Sequence, residues 1–255
     1  MLINPLREKL SNGEHIVNTW LAIPNSWTAE LIATVGYDTV TIDVQHGLMD
    51  YQVMLSMLQA ISTTEATPIV RATWNEPGIL MKILDAGAWG IIAPMISTKE
   101  DAEQFVGACR YPPLGYRSYG PMRASVTAGQ DYYKHSNDQV LTIAMIETKE
   151  AVENIDDILS VEGLDGIYIG TIDLSYSLGI ESLGELHHPD LKRSIDKIMG
   201  SVKKHEKFAG MHTRTIEEID VLKVWGIQII TPMNDSRLLQ STSQTVLDQT
   251  RAKLE

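Results

Sequence analysis

VTIDVQHGLMDY, residues 40–51, starts as a β-branched apolar run, breaks on Asp43, passes Gln45, His46 and Gly47, and offers Asp50 as the start of a helix. The period changes from two to 3.6 across that junction, as when a strand hands over to a helix. On a strand, Thr39, Thr41 and Asp43 share one face, while Val40, Ile42 and Val44 suit the side that packs on helices. The acid and the imidazole therefore fall at a strand end and the loop that follows it.

Outward from this stretch the same handover recurs. Strand-like apolar runs fall at residues 15–23, 37–44, 67–72, 89–95, 139–146, 164–169, 207–212 and 226–231. Helix-like segments lie near residues 27–35, 50–61, 76–86, 98–109, 149–159, 189–205, 215–224 and 234–252. Strict alternation implies parallel strands with right-handed crossovers, and eight units in about 250 residues match a (β/α)8 TIM barrel. The expectation is one α/β barrel domain spanning residues 1–255. A doubly wound open sheet fits less well, because the turn after the first strand, IPNSWTAE, lacks the glycine-rich fingerprint. The sequence shows no linker, low-complexity tract or internal repeat. One long irregular stretch, residues 111–138, rich in Gly, Pro and Tyr, joins a helix to a strand and so begins on the face away from the chemistry.

Composition narrows the partners. With 33 acids against 21 bases the formal charge is −12, and no basic run offers an electrostatic footprint for nucleic acid or an anionic membrane. No stretch approaches the ~20 apolar residues that span a bilayer, and no secretory signal pattern opens the chain. The lone Cys109 cannot close an internal disulfide, which fits a reducing cytoplasm. The expected partner is a small molecule.

In barrels of this kind the site is assembled from strand ends and the loops after them. Here the second strand ends with Asp43 and His46, the third with Arg71 in PIVRATWNEP, and the fifth with Glu147 in TIAMIETKE. Asp173 follows the sixth in GIYIGTIDLS. Each has a plain alternative: a helix cap for either Asp, a packing residue for His46, an ion-pair partner for Arg71, and a favourable charge at a helix start for Glu147. Their convergence at one rim is what marks a site. Met145 and Glu147 point inward together, and His212, at the seventh strand end, reads as a wall residue.

Glu147 and Asp173 supply two anionic oxygens from adjacent strands, an incomplete shell suited to a hard divalent cation such as Mg²⁺, Mn²⁺ or Co²⁺. Arg71 beside it would stabilise charge that develops when a proton leaves the carbon next to a ketone. His46 is the natural proton carrier, since an imidazole exchanges protons near neutral pH, with Asp43 to orient or polarise it. No lysine sits at a strand end, the nearest being Lys149 at a helix start, so Schiff-base chemistry is disfavoured. The last two strands end in GMHTRT and TPMNDS, without a glycine-rich phosphate grip.

Taken together, TWLAIPNSWTAELIATVGYDTVTIDVQHG, PIVRATWNEP, LDAGAWGIIAPM, CRYPPLGYRS, IET and VEGLDGIYIGTIDLS give the chain a nearly end-to-end resemblance to the HpcH/HpaI family of class II pyruvate aldolases. That resemblance implies a divalent metal on Glu147 and Asp173, a pyruvate enolate stabilised by Arg71, and acid/base work by His46 with Asp43. It also implies a homohexamer of barrels with exchanged C-terminal helices, in which Asp85 assists the histidine of a neighbouring subunit. The chain departs from the family pattern in three places. Met145 stands where Gln is common, GTIDLS replaces GPxDLS, and QHG replaces EHG or EHA. Met145 removes an amide that would bond substrate or a water. Thr171 and Ile172, after Gly170, alter the turn whose backbone N–H groups would hold the pyruvate carboxylate. The expected reaction is reversible cleavage of a 4-hydroxy-2-oxo acid to pyruvate and an aldehyde. The alternatives are oxaloacetate or other β-keto acid decarboxylation at the same site, or oxo-acid binding without catalysis.

Overall fold

A computed structural model describes residues 3–254. Eight parallel strands close into a barrel in chain order, with β1 (Ile16–Leu21) bonded to both β2 (Thr39–Asp43) and β8 (Ile229–Thr231). Between these lie β3 (Thr67–Arg71), β4 (Gly90–Ala93), β5 (Leu141–Ile146), β6 (Gly166–Ile169) and β7 (Phe208–His212). The strand order and the closed parallel sheet are those of the (β/α)8 barrel read from the alternation.

Two cores follow from the pleat. Inward positions, among them Ile16, Ile69, Ile92, Ile143, Tyr168 and Phe208, fill the barrel, while outward ones such as Val40, Ile42, Val70 and Ile91 pack under the helices. Bulk alternates around the interior: a side chain at Gly166 would meet the Phe208 ring at 2.6 Å, and one at Gly210 would meet Tyr168 at 2.6 Å. Large residues thus interdigitate across glycine neighbours, and the barrel is a packed core rather than a channel.

The chain opens with α1 (Pro5–Ser11), a helix the apolar period did not reveal because only Leu6 of it is buried. Asn4 caps it, Pro5 starts it, and Leu6 packs with the barrel interior from below. Around the sheet run α2 (Ser26–Ala33), α3 (Tyr51–Ile61), α4 (Pro77–Asp85) and α5 (Lys99–Cys109). Asp50 caps α3 by accepting the Val53 N–H at 2.9 Å, and Thr98 with Asp101 forms a capping box on α5.

The structure corrects two readings. Residues 111–138 are not wholly irregular: they hold α6 (Ala124–Ala128) and most of α7 (Tyr132–Gln139). Their apolar residues form a separate small cluster of Tyr111, Ala124, Ala128 and Tyr132 against Trp89, too sparse to show as a period. The helix read at residues 149–159 is two, α8 (Lys149–Glu153) and α9 (Ile155–Leu159). Asn154 breaks it, its side-chain amide being spent on the Ser97 carbonyl at 2.9 Å. After β6 come a short helix, α10 (Thr171–Ser177), and the amphipathic α11 (Pro189–Lys204), which buries Leu191, Ile195, Ile198 and Val202 at helical spacing. The set ends with α12 (Glu218–Trp225) and α13 (Asp235–Leu254). No helix among the described residues is long and apolar enough to cross a membrane.

Candidate active site at the mouth of the barrel

Asp43 and Arg71 are register partners at the ends of β2 and β3, so their side chains leave the sheet side by side. They form a bidentate pair, with Arg71 Nε donating to Asp43 Oδ1 at 2.8 Å and Nη2 to Oδ2 at 2.6 Å, and both are buried. The guanidinium also stacks over the Trp20 ring, 4.3 Å from its centroid. Its remaining nitrogen, Nη1, meets only the Met145 sulfur at 3.8 Å, a weak acceptor. A planar cation is therefore locked in orientation with one edge left for substrate.

Asp43 Oδ1 also accepts the backbone N–H groups of Gln45 and His46, at 3.1 and 3.2 Å. The loop closes so tightly that a Cβ at Gly47 would lie 2.1 Å from the Asp43 carbonyl oxygen. Asp43 thus positions His46 through the main chain. Among the described residues its carboxylate makes no bond to the imidazole, because Arg71 engages both of its oxygens.

Glu147 lies one residue past β5 and is 2% exposed, its Oε1 accepting the Met95 N–H at 2.8 Å. Burial holds its carboxyl above the usual carboxylate range, and the negative charge of Asp173 pushes the same way, against the Met95 N–H and Arg71. Asp173, on the first turn of α10, lines the cavity. Close approach is licensed by Gly170: a Cβ there would stand 2.8 Å from Glu147 Oε2 and 2.9 Å from the Met145 methyl. Two hard, like-charged oxygen donors that repel one another fit a divalent cation, which would relieve that repulsion. Two protein carboxylates alone would leave such an ion open positions for water or substrate.

Asp43, His46, Arg71 and Asp173 share one cavity of about 800 Å³, and Glu147 lies just outside its lining, against Gly170. Asp43, His46, Arg71, Met145, Gly170, Thr171, Ile172 and Asp173 line one part of it, and His212, Arg214, Met233 and Arg237 another. His212 Nδ1 pairs with the Tyr168 hydroxyl at 2.9 Å, and that hydroxyl donates to Thr231 Oγ1 at 2.7 Å. Burial, with help from the Arg71 and Arg237 charges, pushes the His212 ring down to about 3, so it stays neutral. Asp85 is not in this cavity. It ends α4 at the opposite face of the barrel, paired with Arg117 at 2.6 Å. Lys149 is exposed, its ammonium 3.9 Å from Glu153, and takes no part in the cavity lining. Strand-end reasoning missed Trp20, the Met95 N–H, Asp235 and Arg237. Trp20 was legible as an inward residue of β1, but the other three depend on loop geometry.

The mouth of the closed parallel barrel thus holds an arginine fixed in orientation and two neighbouring acids. The family model for HpcH/HpaI aldolase/citrate lyase matches residues 17–229. The chain is 36% identical over 250 residues to a hydroxypyruvate/pyruvate aldolase of Rhizorhabdus wittichii, covering 98% of this chain and 100% of that one. It is 35% identical over 211 residues to a 4-hydroxy-2-oxo-heptane-1,7-dioate aldolase of Escherichia coli, covering 82% and 80%. Among solved structures, a HpcH/HpaI aldolase/citrate lyase family protein from Burkholderia cenocepacia J2315 superposes with a TM-score of 0.91 at 29% identity, covering 97% and 99%. The citrate synthase SbnG superposes at 0.87 with 32% identity, covering 98% and 99%. The chain belongs to the HpcH/HpaI aldolase/citrate lyase family and is an enzyme of the aldolase type.

Proposed function

We propose that this enzyme reversibly cleaves a 4-hydroxy-2-oxo acid into pyruvate and an aldehyde, with a divalent cation (Mg²⁺, Mn²⁺ or Co²⁺) held by Glu147 and Asp173. The observation that carries the reading is the Arg71 guanidinium, fixed by Asp43 and Trp20, over the cavity that Asp173 lines, with Glu147 close by against Gly170. When bound, the cation would act as a Lewis acid on the substrate's oxo-acid oxygens.

The chain's own residues supply the rest. In cleavage, His46 accepts the proton of the 4-hydroxyl, the C3–C4 bond breaks, and the electron pair passes to the pyruvate half as an enolate. Arg71 donates through Nη1 to the oxygen on which that charge develops, and its fixed orientation avoids reorganisation during the step. A proton returned to C3 completes pyruvate. The first-turn N–H groups of Thr171, Ile172 and Asp173, which have no intrahelical acceptor, suit the substrate carboxylate. Met145 offers Nη1 only a weak sulfur acceptor at 3.8 Å, which an anionic substrate oxygen would outcompete.

Asp85 reaches no residue of its own cavity, so any acid/base role belongs to a neighbouring copy. A hexamer in which α13 is exchanged belongs to the same reading, and there the exposed Leu239 and Val246 of that helix, 63% and 57% accessible, would be covered by a neighbouring copy. The reaction is tested by following the pyruvate methyl protons in D₂O by NMR. Metal-dependent exchange without an aldehyde is the expected result, lost with chelator and restored by Mg²⁺, Mn²⁺ or Co²⁺. Exchange undiminished in excess chelator, or none under any condition, refutes the reading. Oxaloacetate supplied in place of aldehyde separates decarboxylation from aldol cleavage.

A further inference from the structure

The charges around the cavity nearly all close on one another. Asp43 neutralises Arg71, and Glu218 takes Arg214, with Nε to Oε1 at 3.3 Å. His212 is neutral. Asp173 is left for the cation, and among the arginines Arg237 is the exception: it lines the cavity, yet only its backbone N–H is engaged, donating to Asn234 Oδ1 at 2.9 Å. Its guanidinium makes no hydrogen bond or ion pair with any described residue.

The placement of Arg237 is built into the fold. Asp235, 2% exposed, accepts the N–H groups of Ala22 and Ile23 at 2.8 and 3.0 Å and so pins the start of α13 to the turn after β1. A bridge between Trp20 and Asn234 holds the preceding residue against the same strand. The backbone of Arg237 is thereby fixed on the rim, beside the ends of β7 and β8. The cavity, about 800 Å³, lies towards the upper end of the ~300–1,000 Å³ usual for small-molecule sites and far exceeds a three-carbon acid.

We propose that the β7–β8 side of the cavity receives the distal half of the substrate, and that Arg237 there binds a terminal carboxylate, so that the enzyme selects aldehydes and 2-oxo acids carrying a second anionic group. The assignment of the near end to the 2-oxo acid rests on the pyruvate reading above. A guanidinium matches a carboxylate through two parallel N–H donors.

Calorimetric titration of the Mg²⁺-loaded enzyme tests this without turnover. The probes are straight-chain 2-oxo diacids of five to seven carbons and the matching 2-oxo monoacids, none of which has a 4-hydroxyl to cleave. At one chain length the diacid should bind wild type about tenfold more tightly than its monoacid, the gain expected of a charge-assisted hydrogen-bonded pair. R237A should bring the two to near parity, and R237K should keep most of the preference. The proposal is overturned if wild type shows no preference at any length or if the preference survives R237A. It is equally overturned if R237A weakens diacid and monoacid alike, which would place Arg237 on the near carboxylate. Pyruvate proton exchange in the same preparation keeps the two readings apart. An Arg237-dependent preference without exchange upholds the anchor and sinks the aldolase, and exchange without preference does the reverse.

Discussion

Both ends of this barrel bury acid–arginine pairs, Asp43 with Arg71 at the mouth, but the mouth also sets two acids beside each other. At the N-terminal face, Asp165 gathers Arg7 at 2.9 Å, Arg110 at 3.1 Å and the Thr142 N–H at 2.8 Å, while Arg110 also donates to the Val140 and Gly163 carbonyls. Asp85 and Arg117 pair in the same region, the guanidinium 4.5 Å from the Tyr111 ring centroid. Asp165 and Asp85 each meet an arginine there, although burial still pushes the Asp85 carboxyl up. At the mouth, Glu147 has one N–H donor and faces a second acid, and burial first, then the Asp173 charge, pushes its carboxyl up. A buried pair is costly to break by removing one partner, whereas acids set beside each other cost stability as they stand and mark a site that binds.

Substitutions at the two ends should therefore separate activity from stability. The largest effect is expected from Arg71→Ala, which should slow pyruvate proton exchange by about 10²–10³-fold, the usual loss for a preorganised charge-stabilising donor. Arg71→Lys, which keeps the charge but not the fork, should recover little of the rate. At the other end, Asp165→Asn should cost about 3–5 kcal/mol in urea unfolding by leaving two arginines underpaired. The exchange rate per folded molecule should stay near wild type, and a catalytic defect of Arg71 size would erase the distinction between the ends.

Smaller effects sharpen the contrast within the mouth. Gly170→Ala drives a methyl against Glu147 and should weaken cation affinity by about tenfold, read by titration with Mn²⁺. His212 tests the wall. Its ring titrates at about 3 in the fold against 6.5 in the unfolded chain, so the unfolded state takes up the proton first. The stability this supplies is complete above 6.5 and is lost as pH falls towards 3. His212→Asn should flatten the acid limb of a plot of stability against pH, and an unchanged limb would show that the ring is not held neutral.

The sequence carried most of the fold because strand alternation and helix period are local, and eight repeats of the handover leave few topologies. The helices it did not reveal, α1, α6, α7 and α10, are short and bury too few residues to set a period. Strand ends nominated Asp43, Arg71, Glu147 and Asp173, since residue parity decides which side chains point inward. Parity says nothing about partners. That Asp43 clamps Arg71 rather than the His46 ring depends on the β2–β3 register, and that Arg237 overhangs the cavity depends on Asp235 reaching back to the turn after β1. Both are contacts between segments far apart in the chain, invisible to any local pattern.

Thermal unfolding of wild type and Glu147→Gln, each in chelator and in Mn²⁺, tests most directly whether the paired acids of the mouth form a cation site. Because the Glu147 carboxyl is raised in the fold, the native state holds its proton more tightly than the unfolded chain. Stability from this group is therefore present at low pH and lost as pH rises above the usual carboxylate range. In chelator at neutral pH, Glu147→Gln should melt above wild type, and the gap should close on acidification. Mn²⁺ should raise the melting temperature of wild type and leave Glu147→Gln nearly unmoved. A variant no more stable than wild type in chelator, and stabilised by Mn²⁺ to the same extent, would contradict the assignment of Glu147 and Asp173 as the cation-holding pair.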